Sequence, residues 1–89
     1  MDIWVARLQI SERTKEKINS RHGIAEHEVR DAVECVEGLR FAWDDDPDRG
    51  LRAIVESTVR GRPVLVVLYP AWDPPEDVWN LGSAYFTDV

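Results

Sequence analysis

The 89-residue chain has 11 Lys and Arg against 17 Asp and Glu, a net charge of −6, and is 44% apolar. That length and apolar share suit one globular domain, 1–89, with one small core, and exclude a disordered chain. The acidic balance excludes a generic nucleic-acid binder, and a single cysteine, Cys35, excludes an internal disulfide or a cysteine zinc cage.

Trp4 to Ile10 alternates loosely and predicts a first strand. Ser11 is a good N-cap with Glu12 in the first turn. Ile10, Thr14 and Ile18 then fall on one helical face, and Gly23 suits the left-handed position that ends the helix. A second helix is expected from about Glu26 to Glu37, with Val29, Ala32, Val33 and Val36 as its buried stripe and Gly38 as its stop. Glu28 holds the acid position of a capping box, but Ala25 stands where Ser or Thr would complete it. Cys35 reads as a small buried residue of that helix.

Leu39, Phe41 and Trp43 alternate as a strand, and Asp44 to Gly50 reads as a turn. Leu51 to Arg60 is the next strand, with Leu51, Ala53, Val55 and Val59 on one side. Arg60-Gly61-Arg62 turns the chain into Pro63-Val64-Leu65-Val66-Val67-Leu68-Tyr69, which is apolar on both faces and so central to the sheet. Ala71 to Asp77 is a Pro-rich loop carrying Trp72, the tryptophan expected to be most exposed. Val78 to Phe86 is the last strand. The expectation is an α+β fold: an N-terminal strand and two short helices packed on one face of an antiparallel sheet.

The opening residues lack the positive start of a signal peptide, and the longest apolar run, Val64 to Tyr69, is too short to cross a bilayer. No membrane association and a cytoplasmic location are therefore expected. Cations gather at Arg7, Arg13, Lys15, Lys17 and Arg21, and again at Arg49, Arg52, Arg60 and Arg62, so an acidic domain can still present a basic face. Glu26, Glu28, Asp31, Glu34 and Glu37, with the Lys- and Arg-free stretch from Pro63 onward, offer an anionic surface to a basic partner. Asp44, Asp46 and Asp48 have the alternate spacing of a calcium loop, but Arg49 and Val55 stand where such a loop needs Gly and Glu, so a solvated turn is expected and no metal.

Three pieces in order carry a family resemblance: Arg21-His22-Gly23-Ile24 with Glu28-Val29, then Thr58-Val59-Arg60-Gly61-Arg62-Pro63-Val64, then Gly82-Ser83-Ala84-Tyr85. Over roughly Leu8 to Phe86 the chain resembles the BrnT-like toxins of the RelE/ParE superfamily. The resemblance implies a RelE-like fold and the toxin of a type II toxin–antitoxin pair, cleaving mRNA, often on the ribosome, and neutralised by a cognate antitoxin protein. The family's last strand commonly ends in a Thr-Ala-Arg-like motif, and here Ser83-Ala84-Tyr85 stands in its place. A catalytically inactive binding protein of the same fold, or a ParE-type toxin with a protein target, are the alternatives.

Cleavage of that kind needs a base for the 2′-hydroxyl, cations for the phosphate and an acid for the leaving oxygen, with no cofactor. An imidazole can take or give a proton near neutral pH, so His22 is one candidate, its other reading being a helix-end cap. Arg21 and Arg62 can clamp a phosphate with forked guanidinium contacts. Tyr85 can donate a proton. Lys17, Arg52 and Arg60 are the candidate RNA-binding cations. Arg21 and Arg62 are expected to flank one groove, with Tyr85 at its edge.

Overall fold

The computed structural model describes residues 3–71 and 77–88. The elements follow in the order β1 (Arg7–Gln9), α1 (Glu12–His22), α2 (Glu26–Val33), β2 (Arg40–Asp46), β3 (Gly50–Val59), β4 (Arg62–Pro70) and β5 (Val78–Phe86). The architecture is α+β, and the sheet order is β1-β5-β4-β3-β2. β2 to β5 form the expected antiparallel meander with β4 at the centre. β1 lies parallel to β5, with Leu8 opposite Trp79, so the sheet is mixed rather than wholly antiparallel. The two helices carry the chain from β1 to the far edge at β2. The meander then walks back and brings β5 alongside β1 in the same direction. Trp72 and the centre of the Pro-rich loop lie outside the described residues.

α1 begins and ends where its residues require. Ser11 is extended (φ −72°, ψ 156°) and its Oγ accepts from the Thr14 N–H at 3.2 Å. At the other end Gly23 takes φ 66°, its N–H donating to the Asn19 carbonyl, while Ile24 N–H reaches the Ile18 carbonyl. α2 starts at Glu26 behind half a capping box: the Glu28 carboxylate accepts from the Ala25 N–H at 3.0 Å, and Ala25 returns nothing from its side chain.

α2 stops at Val33, four residues before Glu37. Cys35 turns to φ 56° and gives its N–H to the Val5 carbonyl at 2.7 Å, which removes it from the helical ladder. Cys35 is consequently exposed rather than buried. Val36 still packs on the core, from outside the helix. Asp44 to Asp46 belong to β2 instead of a turn, because Arg52 on β3 stands across from Asp44 and bonds both Asp44 and Asp46. The turn is Pro47 to Arg49, held by the Asp46 carboxylate accepting from the Asp48 and Arg49 N–H groups. Arg60 (φ 53°) and Gly61 (φ 71°) form the two-residue turn into β4, whose left-handed backbone matches the strand twist.

Alternation puts Ala53, Val55 and Val59 of β3 and Val64, Val66 and Leu68 of β4 on one sheet face, and all six are buried. Ile18 of α1 and Val29, Ala32 and Val33 of α2 close the same core. α1 lies against β5 and α2 against β3, where Ser57 Oγ donates to the Ala32 carbonyl. Leu51, expected inward, is 41% exposed.

One irregularity shapes the other face. Val67 pairs with Ser83 but Leu68 pairs with Leu81, so Gly82 is an extra residue in β5. A Cβ at Gly82 would collide with the Tyr69 ring. The bulge and the missing side chain together let Tyr69 lie flat across the strand.

Candidate functional site

The eleven Lys and Arg residues divide sharply. Among the described residues six pair with carboxylates: Lys15, Arg30, Arg40, Arg52, Arg60 and Arg62. Of the remaining five, Arg7 stands apart on β1, and the other four, Arg13, Lys17, Arg21 and Arg49, line one open hollow of about 740 Å³ with Ser11, Thr14, Glu16 and Ser20. Arg13, Lys17 and Arg21 stand four residues apart, which sets them in a row along one side of α1.

Two of the four cations are held in place. Lys17 Nζ donates to the Gly82 carbonyl at 3.0 Å, a group that the β5 bulge leaves to α1. The Arg49 guanidinium lies over the Tyr69 ring, 4.1 Å from its centroid. Tyr69 Oη in turn donates to Asp46 at 3.2 Å. Two Asp46 backbone donors, from Asp48 first and then Arg49, together with Tyr69 and Arg52, outweigh burial and hold its carboxyl below the usual aspartate range. The turn that carries Arg49 is thus fastened by an ionised Asp46. A second hollow continues the first past Ser11, Thr14 and Arg49 toward Tyr69, Asn80 and Leu81.

At the C-terminal end of α1, next to Arg21, the His22 ring sits 6.0 Å from the Tyr85 ring, centroid to centroid. The helix-end carbonyls of Ile18 and Asn19 are taken by the Ile24 and Gly23 N–H groups, so capping does not require the His22 imidazole. His22 and Tyr85 are therefore brought together; Arg21 belongs to the cationic row, and neither His22 nor Tyr85 lines the hollow that the row borders.

The remaining candidate cations are engaged elsewhere. Arg62 makes a forked pair with Asp88 (3.0 and 2.8 Å) and lies 3.8 Å over the Phe86 ring. That pair raises the Arg62 pKa and lowers that of Asp88. Arg62 shares the helix-side face with Val64 and is not among the residues lining the hollow that holds Arg21. Arg60 pairs with Glu28 at 2.7 Å and donates to the Gly23 carbonyl. The Ala25 N–H, ahead of Arg60, keeps Glu28 below the usual glutamate range. Arg52 is spent on Asp44 and Asp46. Of the acids expected on the second helix, Glu26, Glu28 and Glu34 are likewise paired, and Asp31 and Glu37 are exposed, Glu34 and Glu37 lying beyond the end of α2.

Arg13 and Arg49 are the functional candidates that sequence reasoning missed. The four-residue spacing of Arg13, Lys17 and Arg21 was a usable signal for the first. Nothing local announces the second, since Arg49 gains its role from a ring twenty residues on. No protein-family model matches this chain, and no curated protein or solved structure matches it. Among the described residues, no helix is long and apolar enough to cross a membrane.

Proposed function

We propose that the protein is the toxin of a type II toxin–antitoxin pair of the RelE/ParE kind, acting as an mRNA endoribonuclease and neutralised in the cytoplasm by a cognate antitoxin. The observation that carries this is the hollow along α1, where four cations without carboxylate partners among the described residues converge, the last of them, Arg21, being the chain neighbour of His22, whose ring lies beside that of Tyr85. In a chain of net charge −6, cations left without carboxylate partners on one wall suit a polyanion. A single RNA strand would run beside α1, its phosphates meeting Arg13, Lys17 and Arg21, with Arg49 closing the opposite side.

Beside Arg21, the His22 imidazole takes the proton of a ribose 2′-hydroxyl. The resulting oxygen attacks the adjacent phosphorus, the bond to the 5′-oxygen breaks, and Tyr85 returns a proton to the leaving oxygen. The products are a 2′,3′-cyclic phosphate and a free 5′-hydroxyl. Arg21 balances the charge that builds on the phosphoryl oxygens.

Induced expression with and without the neighbouring gene tests the proposal. Growth arrest with loss of mRNA is expected, relieved by the neighbouring gene and abolished in His22→Ala. Arrest with intact mRNA and damaged DNA would overturn the ribonuclease reading in favour of a protein target. Absence of any arrest would overturn the toxin reading and leave a binding protein of this fold.

A further inference from the structure

β2 is the last strand in the sheet order, and among the described residues it pairs on one side only, with β3. An isolated antiparallel bridge joins Ile3 to Leu39, the residue before β2. An edge strand of this length presents a row of main-chain donors and acceptors to any strand that can align with it. Between Arg40 and Asp44 it carries neither Pro nor Lys, the usual protections of an edge. Trp43 is 47% exposed, with its ring 6.0 Å from that of Trp79, and the half-buried Phe41 meets it edge-on at 5.5 Å. Arg40 is the most open cation of the fold's ion pairs, at 87% exposure, held only by a 3.5 Å contact to Glu56.

The order of residues on this edge is self-complementary. Arg40, Ala42 and Asp44 share one face of the sheet, and Phe41 and Trp43 share the other. An antiparallel copy of the same strand, centred on Ala42, sets Arg40 against Asp44 twice on the first face and Phe41 against Trp43 twice on the second. Opposite charges and aromatic pairs directly across a ladder are the favourable cross-strand combinations. A register centred on Trp43 instead sets Phe41 against Asp45. One centred on Phe41 leaves Asp44 without a partner. A register centred between residues mixes the faces. Only the Ala42-centred alignment satisfies charge and shape together, and it has the twofold symmetry of an isologous contact.

We infer that β2 is a self-association edge, through which two copies of this chain join their sheets about a twofold axis at Ala42. The contact is independent of the α1 hollow and of any RNA chemistry there. Five residues from each copy fall short of the roughly 1,200 Å² of a standard stable interface, so the dimer is reversible and concentration-dependent.

Sedimentation velocity across a range of concentrations reads this directly. The wild-type chain is expected to shift from monomer toward dimer as concentration rises. Arg40→Glu sets acid against acid and Asp44→Lys sets cation against cation, so each alone remains monomeric. Mixing the two in equal amounts restores both attractive pairs, and the dimer returns. A wild-type protein that stays monomeric at the highest concentration overturns the inference, as does undiminished association of Arg40→Glu. A mixture that stays monomeric overturns the register. Asp44 also pairs with Arg52, so folding of Asp44→Lys is checked by circular dichroism. Should it unfold, Ala42→Cys in a Cys35→Ser background replaces it. Opposed Cβ atoms at the axis lie about 5 Å apart and cross-link under mild oxidation; failure to cross-link overturns the twofold at Ala42.

Discussion

Two groups of cations flank this small sheet, and they differ in what surrounds them. At the β3–β4 turn, Arg60 and Arg62 are each matched to a carboxylate and both lie over Phe86. Along α1, Arg13, Lys17, Arg21 and Arg49 line a hollow that also holds Glu16, and among the described residues none of the four makes an ion pair with a carboxylate. Both groups look alike in composition. The first ties the chain end and the α1–α2 joint to the sheet. The second holds charge that the fold leaves unmatched, and unmatched charge is what a ligand can use. The lesson is that a basic cluster is read by its acids: a guanidinium already forked onto Asp88 must break that pair before it clamps a phosphate.

The largest change that would break the contrast is Gly82→Val. The new side chain has to displace the Tyr69 ring, on which Arg49 rests, and disturbs the carbonyl that holds Lys17. Overpacking of this kind is expected to cost about 1–3 kcal/mol, read as a lower urea midpoint, and to weaken RNA binding in the protein that remains folded. An unchanged midpoint would mean the bulge is not a packing constraint.

Acid sharpens the other side. Glu26, Glu28, Asp46 and Asp88 all sit below their ordinary pKa values, chiefly through hydrogen bonds from Arg30, the Ala25 N–H, the Asp48 N–H and Arg62 respectively. The unfolded chain therefore binds more protons than the folded one as pH drops. The stability these groups contribute is complete above their unfolded values near 4 and is lost as pH falls through the lower folded ones. Thermal unfolding from pH 7 to pH 2 should show a falling midpoint in the acid range. Asp88→Asn, which cannot ionise, should flatten part of that fall.

A smaller effect is expected at the turn itself. Arg62→Ala removes an exposed ion pair and a ring contact, so its melting temperature should move only slightly. Its RNA affinity should match the wild type, because Arg62 is outside the hollow. Smallest of all, Ala25→Ser supplies the missing half of the α2 capping box and should stabilise the fold by about 0.5–1 kcal/mol in chemical denaturation. No gain would mean that the serine hydroxyl does not reach the Glu28 N–H.

Much of the frame was legible in the residues. Ser11 and Gly23 marked both ends of α1, Arg60-Gly61 marked a tight turn, and the two-faced apolar run at Val64 to Tyr69 marked the central strand, because these depend on local chemistry. What was not legible depends on distant partners. Cys35 ends α2 by reaching Val5, and β1 finds β5 only after the meander has closed. The same divide runs through the site. Arg21, His22 and Lys17 stood out by residue type and by their place on the first helix. Which arginines were free could not be seen, because Glu28 and Asp88, which occupy Arg60 and Arg62, come from remote parts of the chain.

The most direct test of the contrast is fluorescence anisotropy with a short single-stranded RNA at fixed low salt. It compares the wild type with Arg13→Ala/Arg21→Ala and with Arg60→Ala/Arg62→Ala. Two lost phosphate contacts along α1 should weaken binding by roughly ten- to a hundredfold and make the salt dependence shallower. The turn double variant, in which two cations already matched to acids are lost, should bind within about threefold of the wild type. Loss of binding in the turn variant, with the α1 variant unaffected, would contradict the assignment of RNA to the α1 hollow.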